Sequence, residues 1–223
     1  MMTSSQTLTS DSIVSLLYTT ARPHLIEDVL ERWQLSIHHR LEMIVVTDDI
    51  YQPTKIRSNV RYITNNGARN CVTGWNLAAQ NAWGDIFIQV SDDLFPPDNW
   101  LQNIREAIIS LANKHSRSDI ALNLLDDRLE RAAVFHPVLT RSAYDKTRYL
   151  YPPDFESMAC DRWFYKYHFK YSLFAESDEQ FWTHIHRITH NVEVDDVMRI
   201  HESEERYVQG RITLQKYIDL QQL

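Results

Sequence analysis

The stretch from residue 70 to residue 93 constrains the fold more than any other part of the chain. Small and apolar residues recur at helical spacing up to residue 82, and Gly84 then breaks the helix. The run Ile86–Val90 is too apolar for an exposed edge strand, so it predicts a buried one. Asp92 and Asp93 follow directly, and ligands in open α/β sheets gather beyond the carboxyl ends of strands. The two carboxylates are therefore predicted to project into a binding site.

Buried strands and helices alternate through the first half of the chain. Strands are predicted at Ile13–Tyr18, Leu41–Val46 and Asn59–Ile63. An amphipathic helix through Leu25 and Trp33 separates the first two of them. This alternation favours an α/β fold with a mostly parallel sheet that is covered by helices on both faces.

The second half has a less regular pattern. It predicts a helix over Trp100–Leu111 and further strands at Ile120–Leu125 and Ala132–Phe135. Aromatic residues crowd positions 149–174, either as the wall of a second subsite or as a thick core. A final helix at Leu214–Leu220 could pack on its own domain or on a second copy of the chain, which leaves a homo-oligomer open.

Size, charge and cysteine content narrow the class of protein. The chain has 223 residues and no repeat or linker, which predicts a single domain over 1–223. A net charge of −7 provides no basic field for nucleic acid, which we exclude as a partner. Neither a signal peptide nor an apolar run of about 20 residues is present, so no transmembrane segment is predicted. With only Cys71 and Cys160, a cytoplasmic protein is expected.

Adjacent aspartates occur four times, so their position must decide which pair has a role. The pairs stand at residues 48–49, 92–93, 126–127 and 195–196. The pairs at 48–49 and 92–93 each end a predicted buried strand, whereas the other two are expected to be solvated at the surface. Asp92 and Asp93 could hold Mn²⁺ or Mg²⁺ against the phosphates of a nucleotide, because both ions prefer oxygen ligands.

Two arginines lie in loops on the same side of the predicted sheet. Arg22 follows the first strand, and Arg69 lies in the Asn-Gly-Ala-Arg loop. A guanidinium can fork onto phosphate or stack on a base, although each residue could also be an exposed loop arginine. Thr20 and Asn76 are weaker candidates for contacts to the same ligand.

In order and spacing, several motifs of the first hundred residues resemble the family 2 glycosyltransferases of the GT-A fold. The motifs are residues 13–23, Val45-Val-Thr-Asp-Asp49, Asn65-Asn-Gly-Ala-Arg-Asn70, Trp75-Asn-Leu-Ala-Ala79, Gly84-Asp85 and Ser91-Asp-Asp93. The resemblance implies a nucleotide-diphospho-sugar transferase fold, with a mixed, mostly parallel central sheet flanked by helices. It also implies a nucleotide-binding half over about 12–93 and an acceptor-side half over about 94–223. The expected donor is a UDP-linked nucleotide-sugar. The expected acceptor is an unidentified carbohydrate or another compound with a hydroxyl group.

The same resemblance implies roles for individual residues. Asp93 is expected to bind the metal directly, while Asp92 positions ribose or metal-bound water. Asp48 or Asp49 is expected to contact the base or the ribose. A late histidine is expected to complete the metal site or touch the diphosphate. His186 is favoured over His184 and His201 for this role, although any of them could be a hydrogen-bonded structural histidine.

Asp161 is the candidate general base, with Glu156 in reserve. An inverting transfer needs one carboxylate to take the proton of the acceptor hydroxyl, and a partly buried aspartate would have a suitably raised pKa. The neighbouring Trp163 and Phe164 could stack on the apolar face of a sugar. The competing interpretation of Asp161 is an acid on a helix surface that interacts with the helix dipole.

Two departures from the family pattern keep other functions open. Ser91 stands at the first position of the usual Asp-x-Asp motif, and Cys160 replaces the glutamate that usually precedes the base. A non-catalytic nucleotide-sugar or carbohydrate-binding protein is therefore the first alternative. The second is a metal hydrolase in which histidines 184, 186 and 190 hold Zn²⁺.

Overall fold

The computed structural model describes residues 8–33, 40–185, 190, 193–201 and 203–223. The strands in these ranges are β1 Val14–Thr20, β2 Leu41–Thr47, β3 Val60–Thr64, β4 Ile86–Val90, β5 Leu94–Phe95, β6 Ile120–Asn123, β7 Val138–Thr140, β8 Leu173–Glu176 and β9 Thr183–His184. The helices are α1 Ile26–Arg32, α2 Cys71–Asn81, α3 Trp100–His115, α4 Arg141–Tyr144, α5 Cys160–Tyr171, α6 Asp196–His201 and α7 Glu204–Gln221.

Seven of the strands in the described ranges form one sheet, in the order β3-β2-β1-β4-β7-β6-β8. The first four strands in this order are parallel to one another, and β6 is parallel to β8. Strand β7 runs antiparallel to both β4 and β6. The prediction of a mixed, mostly parallel sheet is confirmed. A separate antiparallel pair, β5 with β9, lies outside it.

The strand order reverses at β1, which has β2 on one side and β4 on the other. Thr20 is aligned with Thr47, and Thr47 with Thr64, so the carboxyl ends of β1, β2 and β3 are level. Tyr18 near the end of β1 is aligned with Val90 at the end of β4. The loops after these four strands therefore meet at one edge of the sheet, and the reversal of strand order between β1 and β4 is where open α/β sheets bind their ligands.

Helices cover both faces of the sheet. Leu16 and Leu17, successive residues of β1, enter the two opposite core clusters. One cluster includes residues of α1 and α3, with the Trp33 and Trp100 ring centroids 4.9 Å apart. The other includes residues of α2 and α5, and α7 packs against it. The aromatic segment at 149–174 contributes Tyr151, Phe155, Trp163 and Phe164 to the core, whereas Phe169 and Tyr171 are exposed.

Helix α2 and the turn between it and β4 have the form predicted from the sequence. The Asn70 side chain caps the start of α2 by accepting a hydrogen bond from the backbone N–H of Thr73, at 2.8 Å. At Gly84 the chain passes close to β1, and a Cβ atom there would lie 2.8 Å from the Ile13 carbonyl oxygen. Only glycine fits this approach, so the glycine fixes where β4 enters the sheet.

The prediction of a strand at Ala132–Phe135 is wrong. The strand that pairs with β4 and β6 is instead β7, a few residues later. Residues 124–137 form a connection that runs beneath α5, and the backbone N–H of Val134 donates to the Asp161 carbonyl at 3.2 Å. The apolar residues of this run pack under helix α5. A short apolar run in a sequence does not show whether a helix or neighbouring strands will cover it.

The C-terminal helix packs on its own chain. The Tyr217 ring of α7 stacks on Phe155 with centroids 5.8 Å apart, and it meets Trp163 edge-on at 6.3 Å. Leu214 packs against the same core cluster. Within the described ranges, no helix combines the length and apolar character needed to cross a membrane.

Acid is expected to destabilise the fold through His168, which is fully buried on α5. Burial lowers its pKa to about 3, whereas an unfolded chain binds the proton near pH 6.5. The unfolded state therefore holds more protons between these values, and stability falls as pH falls through 6.5. His168→Gln should reduce the loss of unfolding free energy between pH 7 and pH 5 by about 2 kcal/mol, measured by urea unfolding.

The exposed His115 at the end of α3 provides the matched control, as His115→Gln. It should leave the pH dependence unchanged. Equal pH dependence of the His168→Gln protein and the wild type would contradict the role given to burial.

Candidate active site

Asp92 is held by the residues that end β1. Its Oδ1 accepts a hydrogen bond from the Tyr18 hydroxyl at 2.5 Å, and its Oδ2 accepts from the Thr20 hydroxyl at 3.2 Å. The Arg22 guanidinium adds an ion pair to Oδ2 at 2.9 Å. Arg32 donates to the Asp92 backbone carbonyl at 2.6 Å. The acidic tip of β4 is therefore fixed against the end of β1.

Asp93 points to the other side, toward β9. Its Oδ1 accepts from the Ser91 hydroxyl at 2.6 Å, and its Oδ2 lies 3.2 Å from Nε2 of His184. Burial favours the neutral acid, but the hydrogen bonds from His184 and Ser91 and the charge of His184 outweigh it and lower the pKa of Asp93. The lowered pKa favours the ionised form of this carboxylate, and the side chain remains 29% exposed to solvent.

His184 links Asp93 to a second, buried carboxylate. Its Nδ1 lies 2.8 Å from Asp126 Oδ2, opposite the contact of Nε2 with Asp93. Burial alone would lower the pKa of His184, but its hydrogen bonds to the two carboxylates outweigh burial and raise that pKa. Arg128 pairs with Asp126 at 2.6 Å and stacks over the Phe135 ring at 3.3 Å from its centroid. The imidazole is thus fixed in orientation from behind.

The expectation that the later aspartate pairs are surface residues is wrong for Asp126. Its side chain is only 2% exposed, because Arg128 and His184 supply the partners that make burial of a carboxylate tolerable. Asp195 is about half exposed but forms a bidentate ion pair with Arg22, at 2.7 and 2.9 Å. Asp196, by contrast, is 89% exposed, as expected.

Two groups of side chains have spacings that suit a metal ion. Two ligands bound side by side on an octahedral ion at about 2.1 Å lie about 3.0 Å apart. Asp93 Oδ2 and His184 Nε2, at 3.2 Å, match this spacing. Asp126, His136 and His184 also bring three ligand atoms within 4.8 Å of one another. Arg128, however, already faces that second group, with its Nη2 3.0 Å from His184 Nδ1.

A second set of polar residues lies at the ends of β2 and β3. The Asn65 amide donates to Asp48 Oδ1 and to the Ala68 carbonyl, both at 2.9 Å, which ties the Asn-Gly-Ala-Arg loop to β2. Arg69 pairs with Asp49 at 2.7 Å, and both side chains are well exposed. These residues line the same sheet edge as Asp92, because β1, β2 and β3 end level.

Asn76 lies inside the fold, in α2. Its amide nitrogen donates to the Tyr151 carbonyl at 2.7 Å, and its oxygen accepts from the backbone N–H groups of Leu150 and Tyr151. The side chain is thus occupied by the backbone that leads toward α5.

Asp161 begins the first turn of α5 and is partly exposed. Burial raises the pKa of its carboxyl, against the opposing effects of the Arg162 N–H and of the charges of Arg162 and Arg128. Arg128 is therefore close enough to act on both Asp161 and Asp126. The connection 124–137 carries Arg128 and also binds the Asp161 carbonyl, so it joins Asp161 to the His184 side of the site.

The neighbours of Asp161 differ from expectation. Trp163 and Phe164 are fully buried, so the prediction that they stack on a sugar is wrong. Cys160 is buried as well, with its thiol 2.8 Å from the Ser157 carbonyl. Glu156 is exposed and pairs with Arg206 at 3.5 Å. His186 lies outside the described residues.

Sequence reasoning missed Tyr18, Arg32, Asp126, Arg128 and His136. A local signal existed only for Asp126 and Arg128, whose two-residue separation allows an arginine to pair with a buried carboxylate. Tyr18 lies in the first predicted strand and Arg32 in the predicted amphipathic helix. The hydrophobic pattern of these elements predicts which residues are buried, but not which polar atoms contact Asp92.

Solved structures match the chain, although no protein-family model and no curated protein does. The S. aureus TarS fragment 1–349 in complex with UDP-GlcNAc has a TM-score of 0.61 at 14% identity, over 92% of this chain and 66% of that one. The mannosyltransferase PcManGT from Pyrobaculum calidifontis in complex with GDP-Man and Mn²⁺ has a TM-score of 0.55 at 10% identity, over 93% of this chain and 75% of that one.

The chain therefore has the fold of the GT-A glycosyltransferases, and the predicted fold class is confirmed. It is shorter than the TarS proteins that it matches. It spans 60% of the TarS fragment 1–349 in a further structure and 36% of a longer TarS chain.

Proposed function

We propose that this protein is a metal-dependent glycosyltransferase that moves a sugar from a nucleoside diphosphate to an acceptor hydroxyl with inversion. The observation that carries the proposal is the meeting of β1 and β4, where Arg22, Asp92, Asp93 and His184 converge at the reversal of strand order. Ligands of α/β sheets bind at such reversals. The structural neighbours hold UDP-GlcNAc, and GDP-Man with Mn²⁺. UDP is the first donor base to test.

In this proposal, Asp93 and His184 hold Mn²⁺ or Mg²⁺. Their 3.2 Å separation fits adjacent ligands, and Asp126 accepts from the other ring nitrogen of His184, as carboxylates commonly do behind metal-bound histidines. The Asp126–His136–His184 group is the less suitable site, because the guanidinium of Arg128 already faces it. A divalent cation here would neutralise the charge that develops on the diphosphate leaving group.

The residues at the edge of the sheet have separate tasks in the proposed site. Asp48, Asp49 and Arg69, at the ends of β2 and β3, contact base or ribose. Asp92, oriented by Thr20 and Tyr18, faces the ribose. Asn76 acts indirectly, by fixing the backbone at Leu150 and Tyr151. In this proposal residues 12–93 supply the other donor contacts, and residues 94–223 supply the acceptor side together with His184 of the metal site.

Asp161 is the proposed general base. Its partial exposure and raised pKa suit a carboxylate that accepts a proton from an acceptor hydroxyl. The charges of Arg162 and Arg128 oppose this rise in the pKa of Asp161, and Asp161 must act in its ionised, basic form.

Thermal unfolding with UDP, GDP, CDP and dTDP, each with and without Mn²⁺, tests the donor site. A ligand that binds only the folded state adds about 2.7 kcal/mol at 100 times its dissociation constant. For a chain of this size, one nucleotide should raise the midpoint by roughly 5–10 °C, and only with the metal. Mn²⁺ alone is the control. No shift with any nucleotide would contradict the proposed donor site.

A non-catalytic nucleotide-sugar-binding protein is the second candidate, and Cys160 is the observation that favours it. The cysteine lies in the core where the family has an acid before the base. Ser91 does not favour it equally, because its hydroxyl supports Asp93 at 2.6 Å. Release of UDP from UDP-sugars, followed by mass spectrometry, separates the two candidates: binding without any release would favour the second.

A further inference from the structure

Arg22 lies between two carboxylates that come from distant parts of the chain. One edge of its guanidinium, at Nη1, contacts Asp92 Oδ2 at 2.9 Å. The other edge makes two parallel contacts to Asp195, from Nε to Oδ2 at 2.7 Å and from Nη2 to Oδ1 at 2.9 Å. Each of the three guanidinium nitrogens of Arg22 thus contacts a carboxylate, and the Nε–Nη2 edge belongs to Asp195.

Both ends of this contact are held in place. The backbone N–H of Arg22 donates to the Thr20 hydroxyl at 2.8 Å, which fixes the loop after β1. Asp195 precedes α6 and accepts from the Met198 N–H through Oδ1 at 2.8 Å. The ion pair therefore fastens the start of α6 to the loop after β1, beside Asp92.

A forked arginine binds a phosphate with the same pair of N–H groups that it offers to a carboxylate. We propose that Asp195 is an internal competitor of the donor: it occupies the N–H pair of Arg22 that the diphosphate takes on binding. We term the Arg22–Asp195 pair the latch. This inference rests on the proposed function, because it assumes that the diphosphate lies beside Asp92 and Arg22.

The charges and exposures around Arg22 suit such an exchange. Asp195 is 47% exposed, so solvent screens its attraction to Arg22, whereas Arg22 itself is only 19% exposed. A nucleoside diphosphate carries more negative charge than one carboxylate, and it gains the proposed metal as a second partner. Asp92 keeps its own contact with Arg22 throughout, so the guanidinium remains oriented while its partner changes.

The test compares Asp195→Asn with Asp196→Asn by calorimetric titration of UDP and GDP in the presence of Mn²⁺. Asparagine keeps the size and the capping oxygen of Asp195 but removes its charge. Asp196 is its exposed neighbour and pairs only with Arg199 in the described contacts, so its variant removes an equal charge from the same helix end. Asp195→Asn should bind the diphosphate roughly three- to tenfold more tightly, while Asp196→Asn stays within about twofold of wild type.

Two further measurements make the outcome specific. Uridine and guanosine, which lack phosphate, should show no gain in affinity with Asp195→Asn. Hydrogen exchange of residues 193–201 in the wild type should become faster when the diphosphate binds, because α6 is released.

Each result decides the question. Unchanged or weaker diphosphate binding by Asp195→Asn would overturn the latch while leaving the proposed function intact. Failure of the wild type to bind any diphosphate would overturn the proposed function, and the latch with it.

Discussion

Asp93→Asn should lower the rate of sugar transfer by about 100- to 1,000-fold and remove the Mn²⁺ dependence of nucleotide binding. Asp93 is the accessible, ionised carboxylate beside His184, and its pKa is lowered by the hydrogen bonds and charge that outweigh its burial. Asparagine keeps the shape and can still accept from the Ser91 hydroxyl. It removes the negative charge that a hard divalent cation requires.

The measurement is UDP release from UDP-sugars over a series of Mn²⁺ concentrations, together with UDP affinity with and without the metal. Asp98→Asn is the matched control, because Asp98 is exposed five residues downstream and takes no part in the site. Thermal unfolding without ligands establishes that both variants fold. Full turnover of Asp93→Asn at low Mn²⁺ would show that the metal is not held at this carboxylate.

The sheet and the acidic tip of β4 could be predicted because both depend on patterns within short stretches of sequence. The apolar run Ile86–Val90 and Gly84 define β4 and its entry point, and Asp92 and Asp93 follow after Ser91, in the turn that leads to β5. The alternation of strands and helices predicts parallel strands, because two parallel neighbours must be joined by a crossover connection, which is usually a helix. The position of the nucleotide edge then follows from the rule for open sheets.

The rear of the site could not be predicted, because contacts over long sequence separations form it. His184 meets Asp126 across 58 residues, and Arg22 meets Asp195 across 173. An aspartate pair at the surface and a buried one have the same sequence. Whether an aspartate can be buried depends on basic side chains that the tertiary structure brings close to it. The prediction of a strand at 132–135 failed for a related reason, because this segment packs against α5 rather than pairing with a neighbouring strand.

Asp161→Asn should lower turnover by about 100- to 10,000-fold while leaving UDP affinity within about twofold of wild type. Asparagine cannot accept the proton of the acceptor hydroxyl, whereas the proposed nucleotide contacts lie at the ends of β1 to β4. Loss of turnover without loss of binding is the signature of a group that acts on the reaction rather than on the donor. Glu130→Gln is the control for loss of a nearby negative charge, because Glu130 pairs with Arg162 at 3.4 Å, is 39% exposed, and contributes to the raised pKa of Asp161.

The pH dependence gives an independent check on the role of Asp161. Burial raises the pKa of its carboxyl above the ordinary value, and only the ionised form is a base. The wild-type rate should therefore rise with pH through this raised pKa, and the residual rate of Asp161→Asn should lack that rise. Hydrolysis of the UDP-sugar, in which water replaces the acceptor, serves as the readout until the acceptor is known. A residual rate with the wild-type pH profile would assign the base to another carboxylate, and Glu156→Gln would be the next variant to measure.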